Sequence, residues 1–362
     1  MKALWEQEVQ VSVFCLAYNH EKYIRKTLDG FCEQVTEFRF EVLIHDDAST
    51  DSTPSIILEY QKKYPHIFRV ITQEENQYSK GVNIIEDIIY PQLEGKYIAI
   101  CEGDDYWNDR YKLQEQFNVM EKHLECSLCV HKAACCNEDG TYHERVIPES
   151  YYGIKETGIV EEEELKECYW RRGGYPFHTS SYFYRREVLD VGFKHARDIG
   201  ILRKCLVLGS CYYINEEMSV RRLFSVGNWN SRLDKEGIYG RFLLAVSDIE
   251  NDKKFDEFTN YKYSDFIRSR QFFQLAEFFD SYMWEVRACF QRFDLKPKDI
   301  LGQVSMGFFI KLTMKYQLLM KFPHLYKWLM SQWKKRPCIQ KEIINNEKKI
   351  KQAEGYGHGS GK

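Results

Sequence analysis

Apolar runs and amphipathic segments alternate along the first hundred residues. The apolar runs predict four strands, Val9–Leu16, Phe40–His45, Phe68–Thr72 and Tyr97–Cys101. Between them, apolar residues recur at helical spacing, which predicts three helices, Glu21–Phe31, Pro54–Tyr64 and Asn83–Leu93. Strands that alternate with helices indicate a mostly parallel sheet with helices on both faces, so we expect an α/β fold.

The pattern continues less regularly after Leu124. It predicts strands at Ser127–Cys135, Ser180–Tyr184 and Cys211–Ile214 and a helix at Asp198–Leu208. From Ile238 onward the chain is mainly helical in pattern and rich in aromatic residues. We therefore predict an α/β domain over residues 1–237, a helical region over 238–335, and a tail over 336–362 whose Gly-rich end is disordered.

Polar residues stand where three of the predicted strands end. Ala17-Tyr18-Asn19 follows the first strand, Asp46-Asp47 follows the second, and Glu102-Gly103-Asp104-Asp105 follows the fourth. In a parallel sheet these ends share one edge, and ligands bind beyond it. The sequence therefore predicts one polar and acidic site at that edge.

The acidic run after the fourth strand has a specific chemical interpretation. Helix capping and solvated loops account for Asp51 and Ser52, but three carboxylates within four residues repel each other unless a cation or hydrogen bonds offset their charge. Carboxylate oxygens are ligands suited to Mg²⁺ or Mn²⁺ that bridges to a diphosphate. We predict a divalent metal at Glu102, Asp104 and Asp105, with Asp104 as the first choice of ligand.

Composition narrows the class of protein. The formal net charge of −3 argues against nucleic acid as a partner, because nucleic-acid binders are strongly basic or carry a basic stripe. The 12 cysteines are scattered, and the N-terminal sequence lacks a secretory pattern, so we expect a cytoplasmic protein. A zinc site at Cys126, Cys129, Cys135 and Cys136 is disfavoured, because Ser127–Cys135 has the pattern of a continuous strand.

Membrane contact leaves two interpretations open. No segment approaches the roughly 20 apolar residues that a spanning helix needs. Residues 301–335 combine apolar side chains with lysines, a pattern typical of a helix that lies peripherally on a membrane, here the inner face of the cytoplasmic membrane. The same pattern also suits a helix that packs on the catalytic domain while its lysines remain solvated.

The ordered motifs, from Val11 to about Trp229, resemble the family 2 glycosyltransferases, which are inverting enzymes with the GT-A fold. Val11-Ser12-Val13 with Ala17-Tyr18-Asn19 resembles the opening strand and the loop beside the nucleotide base. Glu41–Asp51 is similar to the second strand, in which Asp47 would meet the base and Ser49 would close the turn. Asn83 matches an asparagine that precedes the metal motif, and Glu102-Gly103-Asp104 stands in for the family's DxD, with Glu in place of the first Asp.

The resemblance extends to the acceptor half of the site. His178-Thr179-Ser180-Ser181 is similar to the strand on the acceptor side, and Trp107 follows the acidic motif. The resemblance implies that Asp198 is the general base, although a helix N-cap is the alternative. Arg222 would contact the diphosphate, and Phe224 stands where relatives often have a histidine. Trp229 would form the floor of the acceptor site, although a core tryptophan fits equally.

The resemblance implies transfer of a sugar from a nucleotide-diphosphate sugar, with a UDP-sugar favoured, to a hydroxyl of a glycan or lipid-linked acceptor. The metal and Arg222 would stabilise the leaving diphosphate while Asp198 takes the proton, which inverts the anomeric centre. Glu102 and Phe224 motivate an alternative, a non-catalytic nucleotide-sugar or carbohydrate-binding module. A nucleotidyltransferase or a Rossmann dehydrogenase is disfavoured, because no Gly-rich loop follows the first strand.

Overall fold

The computed structural model describes residues 4–166, 176–193, 199–223, 225, 229–264 and 267. All of them fall in one compact unit, Met1–Glu277. Asp198, Phe224 and the predicted segments 301–335 and 336–362 lie outside the described residues. In the part of the chain that is described, no helix is both long and apolar enough to cross a membrane.

A ten-stranded sheet forms the centre of this unit. Its strands are β1 (Val9–Ala17), β2 (Arg39–Asp46), β3 (Phe68–Thr72), β4 (Tyr97–Ile100), β5 (Tyr106–Trp107), β6 (Cys126–Cys136), β7 (Tyr142–Ile147), β8 (Gly158–Val160), β9 (Phe183–Arg185) and β10 (Ser210–Arg222). The order across the sheet is β3-β2-β1-β4-β9-β6-β10-β5, while β7 pairs with β6 and β8 with β10.

The predicted parallel sheet is confirmed. Strands β3, β2, β1 and β4 pair in parallel, and β6 pairs in parallel with β10. Because β9 is antiparallel to both β4 and β6, these six strands all run in the same direction. The carboxyl ends of β1, β2 and β4, where the sequence places its polar motifs, therefore share one edge.

Helices cover both faces of the sheet, and β1 accordingly has fully buried side chains on both, Val13 on one and Phe14 on the other. They are α1 (Ile24–Cys32), α2 (Thr53–Lys63), α3 (Lys112–Lys122), α4 (Glu162–Lys166), α5 (Ile199–Leu208) and α6 (Trp229–Phe258). Val11 and Val13 pack in one cluster with side chains of α1, α2 and α3, whereas Phe14 belongs to a second cluster with side chains of α5 and α6.

Two predicted elements differ in the structure. The helix expected over Asn83–Leu93 is a π-helix, Ile84–Ile89, followed by a 3₁₀ turn, Tyr90–Gln92. Pro91 lacks the N–H that an α-helix would use at this point, so the regular ladder cannot continue. The strand expected from Ser180 begins only at Phe183, because His178–Ser181 forms hydrogen bonds within itself that compete with strand pairing.

Helix α6 begins at Trp229 and continues through residue 237, where we predict the domain boundary. Arg203 of α5 forms a fully buried ion pair with Asp252 of α6. Past the end of α6, the Tyr263 hydroxyl donates a hydrogen bond to the Leu206 carbonyl (3.2 Å). These contacts hold α5 and α6 together, while the boundary itself stays a prediction.

Candidate functional site

Two loops meet at the edge of the sheet after β1 and β2. The Asn19 amide donates to Ser49 Oγ (2.8 Å), and the Asn19 side-chain oxygen accepts from the Thr50 amide (2.8 Å). Asn19 has a φ of +57°, a left-handed conformation that asparagine tolerates better than most residues. The Ala17 carbonyl accepts from the Asp47 amide (3.0 Å), so the two loops form one rigid rim.

The aspartates after β2 bind neighbouring backbone and hydroxyl groups. Asp46 accepts from the Ser49 hydroxyl (2.6 Å), which closes the turn. Asp47 is buried, and its two carboxylate oxygens accept from the amides of Gln77 (2.7 Å) and Tyr78 (3.1 Å). Asp47 therefore orders the 77–78 segment, and its contact with a nucleotide base stays a prediction.

Tyr18 and Asn83 are also predicted to bind the donor. The Tyr18 side chain is 40% exposed, so its ring is accessible to a planar ligand. Asn83 is half-buried and caps the π-helix, because its side-chain oxygen accepts from the Glu86 amide (3.3 Å). π-Helical turns occur often at functional sites, which agrees with the predicted place of Asn83.

The acidic motif after β4 forms a compact cluster. One ligand oxygen from each of Glu102, Asp104 and Asp105 lies within 4.8 Å of the others. Gly103 lets the chain pass close to α1: its amide donates to the Leu16 carbonyl (2.9 Å), and a Cβ at this position would lie 2.7 Å from His20 Nδ1. No other residue fits there without a shift of its neighbours.

The two aspartates of the cluster are held differently. Asp104 Oδ2 accepts from the Ser225 hydroxyl (2.5 Å), and Asp105 Oδ1 accepts from the Arg222 amide (2.7 Å). Burial, together with the charges of Asp104 and Glu102, raises the pKa of the Asp105 carboxyl well above its usual range. A divalent cation would offset this accumulated negative charge, and three carboxylates are a donor set that fits one.

In the described part of the chain, the Arg222 guanidinium donates its hydrogen bonds to backbone carbonyls rather than to the carboxylates of this cluster. It donates to the carbonyls of Asp104 (3.2 Å) and Glu138 (2.9 Å), and it lies 4.8 Å from the ring centre of Tyr23. With Tyr23 and Tyr106 it lines a cleft of about 840 Å³. The predicted contact of Arg222 with a diphosphate stays a prediction.

The residues predicted on the acceptor side divide into two groups. His178 lies at the acidic cluster, with Nε2 3.6 Å from Asp105 Oδ2, and Thr179 begins the buried turn beside it. Trp107 is only 2% exposed: its indole donates to the Ser180 carbonyl (3.0 Å), so it lies in the core beneath the site. Trp229 is the first residue of α6.

Sequence reasoning missed Thr27, which ties α1 to the acidic motif. Its hydroxyl lies within hydrogen-bonding distance of the carbonyls of Gly103 (3.1 Å) and Asp105 (2.5 Å), and it is fully buried. A detectable signal was present, because Thr27 is the polar position on the apolar face that Tyr23, Ile24 and Leu28 define. Ser225 gave no such signal.

Comparisons with known proteins agree with this geometry. The profile of the family named Glycosyl transferase family 2 matches residues 12–193, half of the chain. The uncharacterized protein Rv1520 of Mycobacterium tuberculosis is 43% identical over 141 residues, which are 39% of this chain and 40% of that protein. The Escherichia coli UDP-Glc:alpha-D-GlcNAc-diphosphoundecaprenol beta-1,3-glucosyltransferase WfaP is 33% identical over 111 residues, 31% of this chain and 41% of WfaP. These alignments thus span less than half of each relative.

Similarity to a solved structure supports the fold. The crystal structure of S. aureus TarS 1-349 in complex with UDP superimposes with a TM-score of 0.53 at 18% identity, covering 97% of this chain and 92% of that one. The fold is therefore GT-A-like, with a mixed, mostly parallel sheet flanked by helices. Since the family profile covers the strands and loops that carry the acidic site, this chain belongs to glycosyl transferase family 2.

Proposed function

We propose that the protein transfers a sugar from a UDP-sugar to a hydroxyl of a glycan or lipid-linked acceptor, with inversion at the anomeric carbon. The observation that carries this proposal is the convergence of Glu102, Asp104 and Asp105 beside the rim formed by Asn19 and Ser49, in a chain of this family. A nucleotide that lies along the rim would place its diphosphate next to the acidic cluster.

The acidic cluster holds a divalent metal, Mn²⁺ or Mg²⁺, in this proposal. Asp104 and Glu102 are its ligands, and a bound metal stabilises the negative charge that develops on the departing diphosphate. Tyr18 stacks on the base, and Asp47 keeps the 77–78 segment in place beside it. Family membership and the buried carboxylates support these roles.

Asp198 is the proposed general base. In the sequence it directly precedes Ile199, the first residue of helix α5. A carboxylate at that point removes the proton from the attacking hydroxyl, and a single displacement inverts the sugar without a covalent intermediate. The family resemblance of the Asp198 segment supports this assignment.

The choice of donor and acceptor rests on relatives. WfaP is named for a UDP-glucose donor and a diphosphoundecaprenol-linked acceptor, and the TarS structure contains UDP. We infer by analogy that this chain uses a UDP-sugar, that its acceptor belongs to a cell-envelope glycan, and that it works in the cytoplasm at the inner face of the membrane. The basic residues 301–335 are the proposed membrane contact.

A thermal-shift screen of UDP, GDP, CMP and dTDP, each with and without Mn²⁺, tests the donor site. We expect UDP with Mn²⁺ to raise the melting temperature, because a ligand that binds only the folded state stabilises it. If GDP were the only nucleotide that raises the melting temperature, the donor would be a GDP-sugar rather than a UDP-sugar. Absence of any shift would contradict the proposed function.

The substitution Asp198→Asn separates catalysis from binding. With a GlcNAc-diphosphoundecaprenol acceptor present, we expect unchanged UDP binding and a loss of about 10²- to 10⁴-fold in the turnover of UDP-glucose or UDP-N-acetylglucosamine, measured as UDP release, because the amide cannot accept the proton of the acceptor hydroxyl. Turnover at the wild-type rate would show that another residue is the base. A wild-type protein that binds UDP but releases none from either donor would favour the non-catalytic binding module.

A further inference from the structure

We propose that Asp105 and His178 form a buried positioning pair, in which Asp105 does not ligate the metal but locks the acidic motif onto the His178–Ser181 turn and the end of β10. The proposal rests on the proposed function, because it concerns the residues around the metal. It divides the three neighbouring carboxylates into two ligands, Glu102 and Asp104, and one residue that keeps them in place.

The surroundings of Asp105 leave little room for a metal contact. Its side chain is only 4% exposed. One oxygen, Oδ1, accepts from the Arg222 amide (2.7 Å), and the other, Oδ2, faces His178 Nε2 at 3.6 Å. Asp104, in contrast, uses Oδ2 to accept from Ser225, and Glu102 is half-buried at the surface of the site.

His178 is itself fixed by the turn that it begins. Its Nδ1 accepts from the Ser180 amide (3.4 Å) and lies 2.8 Å from the Ser180 hydroxyl, which lies 2.8 Å from the hydroxyl of Ser219 in β10. With Nδ1 as the acceptor, the neutral ring carries its proton on Nε2, the atom that faces Asp105. A continuous polar chain therefore leads from β10 through the turn to the acidic motif.

Two buried side chains, Trp107 and Gln116, also donate hydrogen bonds to the backbone of this turn. Trp107, two residues after Asp105, donates its indole N–H to the Ser180 carbonyl (3.0 Å), and Gln116 of α3 donates to the Ser181 carbonyl (2.8 Å). These hydrogen bonds connect the His178–Ser181 turn, on the predicted acceptor side, to the segment that follows the acidic motif. Residues that orient metal ligands in this way commonly change metal affinity about 10- to 100-fold when they are replaced.

Titration of Mn²⁺ in the presence of UDP, followed by the electron paramagnetic resonance signal of free Mn²⁺, tests the division of roles. Asp105→Asn should weaken Mn²⁺ binding no more than about tenfold, because the Asn oxygen still accepts from the Arg222 amide although its NH₂ group would face the Nε2–H of His178. Asp105→Ala and His178→Ala should each weaken binding about tenfold, and His178→Gln should restore most of it. His131→Ala is the control: this histidine is fully buried in β6, and we expect a change of less than twofold.

The double variant Asp105→Ala/His178→Ala tests the pairing. If the two side chains act as one unit, the double variant should weaken Mn²⁺ binding about tenfold, no more than either single variant. A loss of about a hundredfold would mean independent roles and would overturn the pair. A loss for Asp105→Asn as large as that for Asp104→Asn would identify Asp105 as a ligand and also overturn it.

Urea unfolding of wild type, Asp105→Ala, His178→Ala and the double variant, all without metal, separates this proposal from the proposed function. Each single variant should raise the unfolding constant, and the double variant should raise it by less than the product of the two effects. If wild type binds no UDP under any condition, the proposed function fails, yet this cycle still decides the pairing: multiplicative effects would refute it.

Discussion

The same dipeptide, Asp-Asp, follows two strands of the sheet and has a different environment in each place. After β2, Asp46 accepts from the Ser49 amide and hydroxyl, and both oxygens of Asp47 accept from backbone amides. After β4, Asp104 accepts from one hydroxyl and Asp105 from one amide, and a third carboxylate stands beside them.

The difference indicates that the number of hydrogen-bond donors around a buried carboxylate decides whether it stabilises its own loop or remains available to a cation. Backbone amides offset the charge of the first pair, so the pair orders its own loop. The second pair has fewer donors and an additional negative neighbour, so a cation held by Asp104 and Glu102 is the natural partner for its charge. The first pair is thus expected to govern stability and the second to govern metal binding.

The largest effect should come from Asp104→Ala. Removal of the carboxylate should weaken Mn²⁺-dependent UDP binding about a thousandfold, because a charged metal ligand contributes several kcal/mol. Calorimetric titration of UDP with and without Mn²⁺ measures this loss. Asp190→Ala removes an exposed aspartate away from the site and should bind as wild type does. Normal Mn²⁺ dependence in Asp104→Ala would break the comparison.

Asp47→Ala should act on stability instead. It removes the acceptor of the Gln77 and Tyr78 amides, and because Gln77 is only half-buried and Tyr78 is exposed, water replaces part of the loss, so we expect about 1–2 kcal/mol less free energy of unfolding. Urea denaturation measures it. Asp47→Asn keeps one acceptor oxygen and should lose about half as much. A wild-type midpoint for Asp47→Ala would show that the loop does not depend on these bonds.

The region after β4 also contains a buried lysine, Lys112, which should make the free energy of unfolding depend on pH. We expect this to be the smallest of the three effects. Lys112 lies over the Trp107 ring, and burial lowers its pKa to about 7. Because the unfolded chain holds this proton up to about pH 10, it binds more protons than the native state above pH 7, and stability should rise with pH by about 1 kcal/mol per unit.

The Lys112→Met variant isolates that contribution. Urea unfolding at pH 7.5, 8.5 and 9.5 should show the wild-type free energy rising relative to the variant at each step. Parallel pH profiles for the two proteins would mean that Lys112 is already protonated in the native state.

The sequence predicts the parallel half of the sheet well, because buried parallel strands are nearly continuous apolar runs between amphipathic helices. Helix α3 escaped prediction, since Lys112 and Gln116 occupy buried positions that a hydrophobic pattern would assign to apolar residues. Strand β10 was predicted only as Cys211–Ile214, because the exposed Asn215–Glu217 segment interrupts its apolar pattern before the strand resumes.

The site was predictable as a location more than as an arrangement of contacts. Parallel topology brings the ends of β1, β2 and β4 together, so Asn19, Asp47 and Asp104 could be assigned to one edge from the sequence. The partners that give the two Asp-Asp pairs their different environments lie far along the chain, and no local pattern marks Gln77, Tyr78 or Ser225 as those partners.

The buried ion pair between Arg203 and Asp252 has a practical consequence for fragment design. A fragment that stops at residue 237 would keep Arg203 and the ring of Phe193 and would lose both the ring of Phe255 and the Asp252 carboxylate that neutralises Arg203. Loss of a buried ion pair together with the apolar contacts around it costs several kcal/mol, a large share of a domain's stability. The shortest self-sufficient piece of this protein therefore extends beyond Asp252 and includes Tyr263, whatever the role of the remaining chain.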